Sequence, residues 1–114
     1  MMKKKLLVVS HRPIYGVDLL KKELEEVFFD LFDINHIVVK DEENILIPQE
    51  NLNIDAVYYT ADSHFSIISR TMKYFENIPM ARNYPTRDGY IEIEGVNVFI
   101  DHNSAKNFFL NKLN

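Results

Sequence analysis

Residues 55–66 read DAVYYTADSHFS and pass from an apolar stretch into a polar cluster. Segment 55–60 is short and rich in β-branched and aromatic residues, which indicates a buried strand. The core-facing positions that follow recur at helical spacing: Ile67, Ile68, Thr71, Met72 and Phe75. A strand that feeds directly into a helix places the polar cluster at the carboxyl end of that strand, where ligands bind in open α/β sheets.

Similar patterns flank this unit on both sides. Residues 3–10 contain a continuous apolar run, which is typical of a central parallel strand. A helix is predicted over residues 17–29, with an apolar stripe of Leu20, Leu24, Val27 and Leu31. The remaining predicted elements are strands at 36–39, 78–83 and 96–100, and a last helix at 105–113 that Asn103 or Ser104 caps.

Residues 90–93 alternate apolar and acidic side chains, and Glu94-Gly95 is a two-residue turn signal. We therefore expect a hairpin that returns strand 96–100 parallel to strand 78–83. The sequence predicts the α/β class. We expect residues 1–114 to form a single three-layer Rossmann-like domain, with a mainly parallel sheet of about five strands followed by a C-terminal β-hairpin and helix.

Composition excludes several classes of function. The net charge is -4, and the basic residues are scattered apart from Lys3, Lys4 and Lys5, which argues against a duplex nucleic-acid partner. There is no cysteine, so disulfides and thiolate metal sites are absent. The first apolar run is too short for a signal peptide or a membrane span, and we expect a cytoplasmic protein with no membrane partner.

Three polar clusters follow predicted strand ends, and each contains a histidine. The proposed acid/base or metal-binding groups are Asp62, His64, Asp101 and His102. The proposed ligand contacts are Ser10, His11, Arg12, Ser63, Arg82, Asn103 and Ser104. Imidazole and carboxylate groups are ordinary ligands of Zn, Mn or Fe, and they also serve as general acids and bases near neutral pH.

Each of these clusters also has a structural interpretation. Asp62 or Ser63, and Asn103 or Ser104, are suitable helix caps, and a histidine at a strand end is commonly a hydrogen-bonded surface residue. His36 begins its predicted strand, away from the clusters, and is interpreted as structural. Five phenylalanines are predicted to lie in the core: Phe28, Phe29, Phe75, Phe108 and Phe109. Tyr58 and Tyr59 must face opposite sides of the sheet.

Standard nucleotide motifs are missing. With three glycines the chain has neither a dinucleotide-binding fingerprint nor a Walker loop, so no dinucleotide cofactor is expected. The motif Asp62-Ser63-His64 resembles the Asp-x-His opening of calcineurin-type phosphoesterases, whose later motifs are absent here. Residues 100–103 and 10–13 are similar to fragments of DHH-type phosphoesterases. Residues 6–20 resemble phosphotransferase-system domains that carry phosphate on a histidine, although Arg12 replaces their glycine.

Two functions are compatible with these features. The first is binding of a small phosphorylated or nucleotide-like ligand at the carboxyl ends of the strands. In its catalytic form this would be a metal-dependent phosphoester hydrolase. The alternative is a non-catalytic regulatory or protein-interaction domain, either with a protein partner or as a homo-oligomer, because no complete catalytic motif is present.

Overall fold

The computed structural model describes residues 3–11, 16–39, 53–63, 65–75, 77–84 and 92–113. Its elements are β1 (Lys4–Ser10), α1 (Val17–Phe28), β2 (Phe32–Val38), β3 (Ala56–Tyr59), α2 (Phe65–Thr71), β4 (Met80–Asn83), β5 (Val96–Phe99) and α3 (His102–Leu113). A short 3₁₀ helix, Met72–Phe75, continues α2. Within these residues no helix has the length and apolar character needed to cross a membrane.

The five strands form one sheet in the order β2-β1-β3-β4-β5, and every neighbouring pair is parallel. This confirms the predicted α/β class and its mainly parallel sheet. From β1 the chain adds β2 on one side, and it then adds β3 and the later strands on the other side. The strand order therefore reverses between β1 and β3, and the crevice at such a reversal is where ligands bind in open α/β sheets.

Helices cover both faces of the sheet. Leu6 and Val8 of β1 pack in one core cluster with residues of α1 and α3, whereas Leu7 and Val9 pack in another with residues of α2. Side chains alternate along a strand, so the part of β1 that is buried on both faces, Leu6 to Val9, needs an apolar run without interruption. Tyr58 belongs to the first cluster and Tyr59 to the second, which confirms that they face opposite sides.

The predicted C-terminal hairpin is not confirmed. β5 pairs with β4 in parallel, from Met80↔Val96 to Asn83↔Phe99, as the sequence indicated. Residues 94–95 do form a turn, closed by a hydrogen bond of 3.1 Å from the amide N of Val96 to the carbonyl O of Ile93. However, residues 92–93 are not strand, and residues 90–91 lie outside the described part of the chain.

Two other predictions were wrong. β2 begins at Phe32, four positions before the predicted start, because segment 32–38 alternates sides on an edge strand and lacks the continuous apolar run of β1. Phe29 is 62% exposed, although Phe28 is fully buried. Helix α1 ends at Phe28, and the chain turns there toward β2, so Phe29 leaves the core-facing stripe.

Candidate functional site

The strand-order reversal brings together side chains from three neighbouring strands. Ser10 is the last residue of β1, and Thr60 follows β3 directly; their exposures are 0% and 2%. The Oγ atom of Ser10 lies 3.0 Å from Oγ1 of Thr60 and 2.7 Å from Nε2 of His36 in β2. Three polar side chains are thus linked by hydrogen bonds at the carboxyl end of the sheet.

Asp62 extends this group. Its Oδ1 accepts a hydrogen bond from Oγ1 of Thr60, while its Oδ2 is buried without a hydrogen-bond partner among the described residues. Ser63 is buried beside it and donates to the carbonyl O of Val9 at 2.8 Å. Helix α2 begins at Phe65, so position 64 precedes it and neither Asp62 nor Ser63 stands at the cap position. Both side chains face the strand ends instead.

His36 was missed by the sequence interpretation, which placed it at the start of a strand. It is the fifth residue of the seven-residue β2 and lies near its carboxyl end. Burial lowers the pKa of His36 below its ordinary value; the negative charge of Asp62 opposes this shift and Lys21 adds to it. The alternating pattern at the start of segment 32–38 would have extended the predicted strand and placed His36 near its carboxyl end.

The rest of the first polar cluster is only partly described. Nδ1 of His11 lies 2.6 Å from the carbonyl O of Val39, which follows β2. This contact fixes the imidazole across the ends of β1 and β2. Arg12 and His64, two of the predicted site residues, lie outside the described residues.

The third predicted cluster lies at the start of α3, which begins at His102 and not at Ala105. Asp101 is the capping residue, since its Oδ1 accepts from the amide N of Ser104 at 2.7 Å. Asn103 and Ser104, the predicted caps, are exposed in the first turn. The bond to the Ser104 amide lowers the pKa of the Asp101 carboxyl below its ordinary value.

His102 has partners of its own. Its Nδ1 lies 2.6 Å from the hydroxyl of Tyr58, and its Nε2 lies 3.1 Å from Oε1 of Glu23 in α1. These two residues differ from the partners of Asp62 and Ser10. His102 thus contacts β3 and α1, and among the described side chains it shares no hydrogen-bond partner with Asp62 or Ser10.

Arg82 lies in β4 with 4% exposure. It pairs in register with Tyr59, so it projects to the face that α2 covers. The guanidinium carbon lies 5.0 Å from the ring centre of Tyr84, and Nε has no hydrogen-bond partner among the described residues. Burial lowers the pKa of Arg82 from its ordinary value. The neighbouring Asn83 donates to the carbonyl oxygens of Phe99 and Ile100 and ties β4 to the end of β5.

No three His, Asp or Glu side chains of the described residues are grouped so that they could hold a metal ion. Comparison of the chain with protein-family models, with curated proteins and with solved structures found no significant match. The fold and the side chains at the strand ends are therefore the basis for any functional conclusion. Together they define a parallel α/β protein with a polar group at its strand-order reversal.

Proposed function

We propose that this chain binds a small phosphorylated or nucleotide-like ligand at the carboxyl edge of its sheet, near the ends of β1, β3 and β4. Arg82 would contact the anionic group. Asp62 would contact the same ligand through its free carboxylate oxygen, either directly or through a divalent metal such as Zn, Mn or Fe. In the catalytic form of this proposal the ligand is a phosphoester that the protein hydrolyses.

The observation that carries the proposal is the environment of Arg82. A guanidinium stays charged in proteins, and burial of an unpaired charge costs several kcal/mol in general. Among the described residues Nε of Arg82 has no hydrogen-bond partner, and its guanidinium lies over the Tyr84 ring, which compensates a charge only in part. An anionic ligand would supply the missing partner, and phosphate oxygens match the planar donors of arginine.

Asp62 follows β3, the strand next to β4, at the same carboxyl edge of the sheet. A carboxylate repels a phosphate, so a direct contact of Asp62 requires a donor group such as a ribose hydroxyl. Alternatively, a divalent cation bridges the carboxylate and the phosphate. The described residues alone do not supply three metal ligands. A metal would need a further ligand from elsewhere, and sequence points to His64.

The test is isothermal titration calorimetry of the protein with inorganic phosphate and with AMP, each with and without MnCl₂. We expect wild type to bind at least one of these probes, and Arg82→Met to weaken that binding at least tenfold. Arg70→Met is the matched control, since it removes the same charge from an exposed position on α2, and it should bind within twofold of wild type.

A wild-type protein that binds neither probe would contradict the proposal, as would Arg82→Met with unchanged affinity. Release of p-nitrophenol from p-nitrophenyl phosphate in the presence of MnCl₂ separates the two forms of the function. If the wild type hydrolyses p-nitrophenyl phosphate and Asp62→Asn does not, the result would support the hydrolase form of the proposal. Binding without turnover would support a non-catalytic regulatory domain.

A further inference from the structure

The ring of Tyr84 lies beside the charged group of Arg82. The guanidinium carbon of Arg82 is 5.0 Å from the ring centre, and Arg82 itself is 4% exposed. A cation over an aromatic ring is attracted by the negative charge of the ring face. This attraction needs no acceptor atom, so the N–H groups of the guanidinium can still donate to an anion.

The backbone around Tyr84 is tied to the neighbouring strand. The amide N of Tyr84 donates to the carbonyl O of Phe99 at 2.9 Å, so Tyr84 extends the pairing of β4 with β5 by one residue. The preceding Asn83 donates from Nδ2 to the carbonyl oxygens of Phe99 and Ile100, at 3.2 and 3.0 Å. Three hydrogen bonds thus hold the end of β4 against β5 at the residue that carries the ring.

Strand geometry brings the ring and the guanidinium together. Side chains two positions apart on an extended strand point to the same face of the sheet, and Arg82 and Tyr84 are such a pair. The register of Arg82 with Tyr59 shows that this face is the one that α2 covers. An arginine side chain has many rotamers, and an anchored ring beside it restricts the orientations of its charged end.

We propose that Tyr84 is a positioning residue for Arg82, and that its ring holds the guanidinium in the orientation that binds an anion. The effect on anion binding rests on the proposed function, whereas the restraint on the guanidinium does not. Because the ring face makes the contact, Tyr84→Phe should preserve the restraint. Tyr84→Leu has no aromatic face and should release the guanidinium.

The restraint is measured by ¹⁵N relaxation of the arginine Nε–H groups in ligand-free protein. The Arg82 signal is assigned by its loss in Arg82→Met. An order parameter of about 0.85 marks a rigid N–H group, and one below about 0.6 marks a flexible group. We expect the rigid value for Arg82 in wild type and in Tyr84→Phe, and the flexible value in Tyr84→Leu.

Tyr74→Leu is the matched control. It makes the same substitution at an exposed tyrosine whose ring centre lies 5.4 Å from Nζ of Lys73, and it should leave the Arg82 order parameter unchanged. A flexible Arg82 in wild type would overturn the proposal. Equal order in Tyr84→Leu and wild type would also overturn it, as would a loss of order in Tyr84→Phe.

The effect on anion binding is measured by calorimetric titration with inorganic phosphate and with AMP. For each probe that the wild type binds, Tyr84→Leu should weaken binding about fivefold to tenfold, and Tyr84→Phe should bind within about twofold of wild type. A positioning residue acts through the group that it positions. In the Arg82→Met background, Tyr84→Leu should therefore cause no further loss of affinity.

Three results would refute the positioning role. The first is a Tyr84→Leu variant that binds as tightly as wild type. The second is a loss of AMP binding with unchanged binding of phosphate, which would mean that the ring contacts the nucleoside. The third is a further loss in the Arg82→Met background. If wild type binds no probe, the proposed function fails, and the order parameter still decides whether Tyr84 restrains Arg82.

Discussion

The hydroxyl of Tyr58 lies 2.6 Å from Nδ1 of His102, although 44 positions separate the two residues in sequence. Burial raises the pKa of Tyr58 far above its ordinary value, so the phenol keeps its proton and donates it to the imidazole. The ring proton of His102 then lies on Nε2, which faces Glu23 at 3.1 Å. This chain joins β3 to α3 and, at its exposed end, to α1.

Loss of the His102 imidazole should destabilise the protein more than loss of the Tyr58 hydroxyl. His102→Leu leaves the buried hydroxyl of Tyr58 without its acceptor, which destabilises the protein by about 2 kcal/mol. Tyr58→Phe removes the hydroxyl itself and costs about 1 kcal/mol. Urea unfolding of both variants and of the double variant measures this. The double variant should be less destabilised than the sum of the single ones.

Glu23→Gln is the control, because the exposed Glu23 side chain forms the outer end of the hydrogen-bonded chain. This substitution should change the free energy of unfolding by less than about 0.5 kcal/mol. Strictly additive effects of Tyr58→Phe and His102→Leu would show that the two residues do not interact in solution.

A similar asymmetry is expected on the other face of the sheet. The hydroxyl of Tyr59 lies 2.7 Å from Oγ1 of Thr71, which itself donates to the carbonyl O of Ile67 at 2.7 Å. Tyr59 must therefore be the donor to Thr71. Thr71→Val leaves the buried phenol unpaired and should cost about 2 kcal/mol, whereas Tyr59→Phe should cost about 1 kcal/mol.

Thermal unfolding of the two variants checks the order of these effects. Ser69→Ala on the same helix is the comparison, because this exposed hydroxyl bonds only to a local carbonyl and its loss should matter little. If Tyr59→Phe were the more damaging change, the assigned donor would be wrong.

Arg82→Met should stabilise the ligand-free protein while it weakens ligand binding. Replacement of a buried charge by an apolar side chain of similar length removes a desolvation cost, and we expect a gain of about 1 kcal/mol. The free energy of unfolding, measured by urea titration without phosphate, gives the result. If Arg82 instead had a purely structural role, Arg82→Met would lower the free energy of unfolding.

Saturating phosphate supplies the complementary measurement. A ligand that binds only the folded state raises its stability, so the wild type should gain more from phosphate than Arg82→Met does. Equal gains would mean that Arg82 does not contact the anion.

The sequence was sufficient for the fold class because its strongest patterns are local. The unbroken run Leu6–Val9 is typical of a strand covered on both faces, and Tyr58-Tyr59 is buried likewise. The edge strand β2 has a weaker signal: only its first five residues alternate between more buried and exposed positions, and only three of its seven residues were predicted as strand. The hairpin prediction relied on Glu94-Gly95, and a turn signal does not determine which strand its flanks pair with.

The site was harder to predict because hydrogen bonds between distant side chains depend on register. Parallel pairing of β1 with β2 aligns Val8 with His36 and so brings the imidazole to Ser10, and nothing in the local sequence of segment 32–38 encodes that alignment. The same reasoning explains Asp101. The sequence correctly indicated a polar start for α3, but Asp101 and not Asn103 or Ser104 provides the cap, because the helix starts three residues earlier.

His36 also makes the stability of this protein depend on pH. Its folded-state pKa is lowered mainly by burial, whereas in the unfolded chain an imidazole titrates near 6.5. Below about pH 6.5 the unfolded state therefore binds more protons than the folded state, and the free energy of unfolding must fall as the pH decreases. Above that pH both states carry a neutral His36, and this residue contributes no slope.

We expect urea unfolding of wild type to show falling stability from pH 7 to pH 5, with a shallower slope in His36→Gln. The other histidines are present in both proteins, so the difference between the two slopes isolates His36. Asp62, whose charge favours a protonated His36, and Lys21, whose charge opposes it, are the charged neighbours that set the shift. Lys21→Met should therefore flatten the slope in part, because the folded-state pKa of His36 rises toward its unfolded value. Identical slopes in wild type and His36→Gln would show that the imidazole has the same proton affinity in both states, and that it is not buried against Ser10 as the structure has it.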